Sequence, residues 1–179
     1  IYRNNGDETF TRIAAPVNIG TGELAWGDYD GDLDLDLFIS GARGLIPSTR
    51  LFENNNGLFQ ELIVTQDELQ SGSIDLGDYD NDGDLDLLLT GKETNRSIAK
   101  VYRNEGSLPF IDIGAPLDSV AEGRAIFGDY NDDGLLDIFL VGSDRNGDRI
   151  AKIYNNDTLA TGGFLFDQAA STTLRGADE

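Results

Sequence analysis

The chain has no cysteine and no histidine, and only 13 of its 179 residues are lysine or arginine. Without cysteine there are no disulfides and no thiol chemistry, which by itself says little about compartment. Without histidine the commonest general base and a common metal ligand are missing. Set against 33 Asp and Glu, the few cations leave a formal net charge of −20. Phosphate binding needs clustered Lys and Arg, so a nucleic-acid partner is disfavoured. No apolar run reaches membrane-spanning length, so no membrane insertion is expected. The opening Ile1-Tyr2-Arg3-Asn4-Asn5-Gly6 resembles no signal peptide and reads instead as a repeat caught in the middle. Helix signals are weak, the best being barely a turn around Asp67-Glu68-Leu69-Gln70.

Much of the acidity sits in three stretches. The middle one is Gly77-Asp78-Tyr79-Asp80-Asn81-Asp82-Gly83-Asp84-Leu85-Asp86, running into Leu87-Leu88-Leu89-Thr90-Gly91. Five like charges on alternate residues repel one another, so a folded loop that gathers them calls for a cation. Hard oxygen donors select Ca²⁺ over zinc or copper. The spacing D-x-D-x-D-G-x-x-D aims side-chain oxygens inward from positions 1, 3, 5 and 9, with the backbone carbonyl of position 7 completing the set. The candidate ligands are Asp78, Asp80, Asp82, Asp84 and Asp86 here, and Asp28, Asp30, Asp32, Asp34 and Asp36 in the first stretch. In the third they are Asp129, Asn131, Asp133, Leu135 and Asp137. Leu135 has no side-chain ligand to offer, so Asp34, Asp84 and Leu135 are all assigned through their carbonyls. An EF-hand is excluded, because its position 12 needs Glu and holds Ile39, Leu89 and Leu140.

Two substitutions grade the three expected sites. Leu33 stands where Gly83 and Gly134 stand, at a position that wants φ > 0, while Gly31 lies two residues earlier. Asn131 removes one charge from the third loop. The second site is therefore expected to bind tightest.

The acidic stretches recur at 50 and 51 residues, which marks a repeat. Companion markers keep the same period: Tyr2, Phe52, Tyr102 and Tyr154 before Asn/Gly turns, then Phe10, Phe59, Phe110 and Phe164. Each repeat offers four strands, one before the acidic loop, an apolar one after it, one into the Asn/Gly turn, and one with the Phe. Near-continuous Leu85–Leu89 reads as a strand covered on both faces, whereas Ala99–Arg103 alternates as if one face were wet. Trp26, in register with Leu76 and Phe127, is assigned to the core, as are the four Phe. Tyr29, Tyr79 and Tyr130 are placed between blades. The fold expected is all-β, a β-propeller of four-stranded antiparallel blades of about 50 residues each.

These motifs resemble the FG-GAP/VCBS repeat, known from integrin α-subunits and from secreted bacterial and fungal propellers. The resemblance implies a seven- or eight-bladed ring with Ca²⁺ in the hairpin between the first two strands of each marked blade. The chain would then hold about 3.5 blades: 1–20 ending one blade, then 21–70, 71–121 and 122–179. The remaining blades are expected from flanking sequence.

For function the expectation is a non-enzymatic, calcium-stabilised binding or adhesion module, secreted or cell-surface. No nucleophile–base pair and no carboxylate pair stands out beyond the acidic loops. A protein or glycan ligand is expected on the face opposite those loops, where turns carry Arg43, Lys92, Arg96 and Arg145. The alternatives are the propeller portion of a secreted polysaccharide lyase, or an architectural spacer.

Overall fold

The computed structural model describes residues 1–13, 21–44, 46–157 and 165–168. Among these there is no helix. A short hairpin, β1 (Tyr2–Asn4) and β2 (Phe10–Arg12), precedes three four-stranded sheets. The first sheet is β3 (Thr21–Gly27), β4 (Asp36–Arg43), β5 (Ile46–Asn55) and β6 (Leu58–Leu62). The second is β7 (Ser71–Gly77), β8 (Asp86–Lys92), β9 (Ser97–Arg103) and β10 (Ile111–Asp112). The third is β11 (Ala121–Gly128), β12 (Asp137–Ser143), β13 (Arg149–Asp157) and β14 (Leu165–Gln168). Each is an antiparallel meander in chain order.

The repeat fixes the register. Gly27 pairs with Asp36, Gly77 with Asp86 and Gly128 with Asp137, so each acidic stretch closes the first hairpin of its sheet at the same place. At the far end of the second sheet's first hairpin Gly72 pairs with Gly91. A Cβ on Gly72 would sit 2.1 Å from the Thr90 carbonyl, so that approach needs glycine.

The core lies between sheets. Phe38 and Leu51 of the first pack with Ile74, Leu87 and Leu89 of the second, and Tyr29 and Phe110 meet there at 6.4 Å between ring centroids. Tyr79, Leu88 and Val101 of the second pack with Ala125, Ile138 and Leu140 of the third. Strand β8 is buried from Asp86 to Gly91, as its unbroken apolar run indicates. Tyr29 and Tyr79 both sit at sheet–sheet contacts.

Four expectations need correction. Trp26 is 44% exposed, with Phe59 as its ring neighbour, and Phe10 is 63% exposed; neither is core. Tyr130 is 54% exposed, because no sheet among the described residues covers its side of the third sheet. Phe110 is buried and Phe59 half-buried, while Phe164 falls outside the described residues. Finally, β9 has no wet face of the kind its alternation suggests, since Tyr102 is buried along with Val101 and Ala99.

The burial of Tyr102 has a polar cause. Its hydroxyl donates to Asp67, a buried residue of the connection between the first two sheets, which also takes Lys100 Nζ at 2.6 Å. The arrangement repeats: Asp118, in the next connection, receives Lys152 Nζ and the Tyr154 hydroxyl, the latter at 2.7 Å. The two connections between the four-stranded sheets are thus each pinned to the third strand of the following sheet. Burial lifts the Tyr102 and Tyr154 hydroxyls well above their ordinary pKa, so they remain donors.

Candidate metal centre

The acidic loops hold their shape through their own aspartates. Both oxygens of the position 1 carboxylate accept backbone N–H groups from across the loop. Asp28 takes Gly31 at 2.9 Å and Leu33 at 3.0 Å, and Asp78 takes Asp82 and Gly83 at 3.0 Å each. Asp129 takes Asp133 at 3.2 Å and Gly134 at 2.9 Å. Position 5 accepts the N–H two residues on, Asp32 from Asp34 at 2.8 Å and Asp82 from Asp84 at 2.9 Å. This is the side-chain-closed turn that Asp favours.

Position 9 does something different. Asp36, Asp86 and Asp137 are each 1% exposed or less. One oxygen of each accepts the N–H of the loop tyrosine, at 3.0, 3.1 and 3.3 Å for Tyr29, Tyr79 and Tyr130. The other accepts a backbone N–H at the end of the third strand or just past it, at 2.8 Å from Asn54, 2.9 Å from Asn104 and 2.8 Å from Asn156. The last ligand candidate therefore also staples the acidic loop to the Asn/Gly turn beside it.

Those asparagines were legible in the sequence only as turn formers. In the structure Asn104 Nδ2 reaches back 2.8 Å to the Tyr29 carbonyl of the previous sheet's acidic loop. Asn156 Nδ2 does the same to the Tyr79 carbonyl at 2.7 Å. The near-constant spacing from Asp36, Asp86 and Asp137 to these asparagines, 18, 18 and 19 residues, was the signal that could have found them.

Two groups of carboxylates converge closely enough to share an ion. Asp28, Asp30 and Asp32 have one oxygen each within 4.8 Å of one another, and so do Asp78, Asp80 and Asp86. In the second group Asp80 Oδ1 is buried with no hydrogen-bond partner among the described residues. A buried carboxylate oxygen without a donor is costly, and a cation would satisfy it. Burial pushes the Asp86 carboxyl up to about 7; the Asn104 and Tyr79 N–H groups pull it back, while Asp80 and Asp82 raise it further. Burial also raises Asp36, Asp80 and Asp137, and acidic neighbours add to the effect in each case. The donor set is all oxygen and electrostatically strained, which fits a hard divalent cation.

The remaining candidates stand apart. Asp34 Oδ2 accepts the Asn56 N–H at 2.8 Å, so its carboxylate serves the neighbouring turn. In the third loop Asn131 Nδ2 donates to Asp133 Oδ2 at 2.9 Å.

Loop dihedrals separate Leu33 from Gly31. Leu33 has φ +74°, matching Gly83 at +99° and Gly134 at +84°. Gly31, at +75°, matches Asn81 and Asp132, which also have positive φ, so it does not relieve Leu33. The Leu33 side chain is 89% exposed and offers little burial to offset the strain. Leu33→Gly should stabilise the chain by about 0.5–1 kcal/mol, since relief of roughly 1–2 kcal/mol of left-handed strain is partly cancelled by added unfolded-state freedom. Urea denaturation checks this, and a variant less stable than the parent would show the strain to be negligible.

An all-β repeat with an aspartate-built hairpin loop in each unit defines a class of acidic-loop repeat modules. The family model described as FG-GAP-like repeat matches residues 28–89 and again 78–140, and the chain belongs to that family. Comparison with curated proteins and with solved structures gave no match.

Proposed function

We propose that this chain is part of a calcium-stabilised β-propeller, extracellular or on a cell surface, serving as a non-enzymatic module that binds protein or glycan. The observation that carries the calcium reading is the buried, partnerless Asp80 oxygen beside Asp78 and Asp86. Ca²⁺ suits such loops better than Mg²⁺, because it takes six to eight oxygens in flexible geometry. The side chains of positions 1, 3, 5 and 9 and the carbonyls of Asp34, Asp84 and Leu135 would hold it. Bound ions would neutralise the loops and tie the two strands of each hairpin together.

The propeller reading draws support from the family and from the packing of successive meanders face to face. Two apolar flanks fit further blades. Leu24, Trp26 and Leu35 are exposed on one side of the first sheet, and Ile126, Tyr130 and Phe139 on the third. No helix of the described residues is long and apolar enough to cross a membrane.

Calorimetric titration with CaCl₂ tests the proposal. Three ions per chain are expected, the second loop tightest and the first or third weakest. Asp82→Ala should accordingly cost more calcium-dependent stability than Asp32→Ala. Uptake of one ion or none would overturn it.

A further inference from the structure

The sheets are polar in charge as well as in direction. Strand β8 begins at Asp86 in an acidic loop and ends at Lys92, about 20 Å away at the usual strand rise. That distance exceeds the screening length at physiological salt. At the Lys92 end, between the β8–β9 and β12–β13 turns, lies a cleft of about 750 Å³. Lys92, Arg96, Lys100 and Arg145 line it, four of the chain's 13 cations, and no Asp or Glu does. This is the face on which sequence pattern places a partner, with Lys100 added by the structure.

The four cations fall into two pairs. Arg96 and Lys100 both pair with the buried Asp67, at 2.8 and 2.6 Å, and Arg96 also pairs with Glu93 and Lys100 with Asp112, at 2.5 and 2.9 Å, so their charge is already met. Bound in this way they are held in place at little further entropic cost. Lys92 and Arg145 are exposed and make no ion pair among the described residues. They remain available to a ligand. A second depression, on the other side of the β8–β9 turn, is lined by Glu68 and Glu93 and lacks this character.

The rest of the lining discriminates among anions. Thr94, Asn95, Ser97 and Ser119 offer hydroxyl and amide groups, and the apolar contribution is only Ile98 and Ala99. Ile98 is buried, so the lining exposes no aromatic or large aliphatic anchor of the kind a bound peptide uses. Nor is there a long free strand edge: one side of β9 is fully paired with β8, and the other is met by β10 at Tyr102 and Arg103 and by Val120 at Ile98. Alternating cations and hydroxyl-bonding groups match a chain that bears both charge and hydroxyls.

We infer that this cleft binds an anionic oligosaccharide, a sugar chain bearing carboxylate or sulfate groups, with Lys92 and Arg145 as its principal charge contacts. The inference rests on the binding-module reading above and does not require calcium. Isothermal titration of the 179-residue chain in EDTA would use four probes: oligogalacturonate, a heparin-derived oligosaccharide, a neutral cello-oligosaccharide and oligoglutamate. One or both acidic sugars should bind, and the two arms separate carboxylate from sulfate as the recognised group. Binding should weaken when salt rises from about 0.05 to about 0.5 M. It should fall about tenfold or more in the Lys92→Gln/Arg145→Gln double variant, whose melting temperature should match the parent's because neither residue is ion-paired. Equal binding of the neutral sugar, equal binding of oligoglutamate, an unaffected double variant, or no binding of any acidic sugar would each overturn it. A chain that takes up calcium but no acidic sugar fails this inference alone. One that takes up acidic sugar but no calcium fails the calcium reading alone.

Discussion

In EDTA the chain should melt at a higher temperature at pH 5 than at pH 8, and in millimolar calcium the order should reverse. Asp86 titrates near 7 in the folded protein against an ordinary 3.8. Asp36, Asp75, Asp80 and Asp137 are raised in the same direction, each first of all by burial. Between about pH 4 and pH 7 the metal-free folded chain therefore holds protons that the unfolded chain has released. Its stability is greatest below that window and is lost as pH rises through it. Asp67 and Asp118 are lowered, so their contribution is lost only as pH falls below the usual carboxylate range. On the proposed function calcium should invert the slope, because it would bind the deprotonated carboxylates with an affinity that climbs as they ionise. At a hundredfold excess over Kd each site adds about 2.7 kcal/mol. For a chain of this size that is roughly 5–10 °C per site. Thermal melts at the two pH values, with and without the ion, decide the matter. Slopes of the same sign in both conditions would mean that no ion engages these carboxylates.

Asp86→Ala should cost about 2–5 kcal/mol even in EDTA, while Asp84→Ala should stay within about 0.5 kcal/mol. The two residues are neighbours in one acidic motif, so charge alone does not separate them. Asp86 is buried and accepts from Tyr79 and Asn104, and its removal strands two N–H groups at roughly 1–3 kcal/mol each. The Asp84 side chain makes no hydrogen bond or ion pair among the described residues. Urea unfolding of both variants in EDTA measures the difference free of any ion effect. Equal losses would show that Asp86 acts only as a ligand and not as a staple.

Sequence reading carried further for the loops than for what surrounds them. Alternating Asp, the glycine at Gly83 and the apolar run behind it mark the hairpin, its register and the buried β8, since all three are local and periodic. The pinning of Tyr102 by Asp67 is not local. Its partners lie some 35 residues apart, and Asp67 sits in a connection with no apolar period to draw the eye. The same sequence logic that placed Trp26 in register with Leu76 identified its face correctly. It could not say whether anything packs on that face, because burial depends on a neighbour and not on the strand itself.

The asparagines that cross from sheet to sheet have a consequence for how ions load. Asn104 holds Asp86 of its own loop through its backbone and the Tyr29 carbonyl of the previous loop through its side chain, and Asn156 repeats the link one step on. Asn81 adds a contact at 3.2 Å to the Gly134 carbonyl of the third loop. The acidic hairpins thus form a one-dimensional lattice with nearest-neighbour coupling. An ion that ordered one hairpin would also order the backbone that its neighbour must present, so filling would be cooperative along the chain and stiffness would spread from the best site outward.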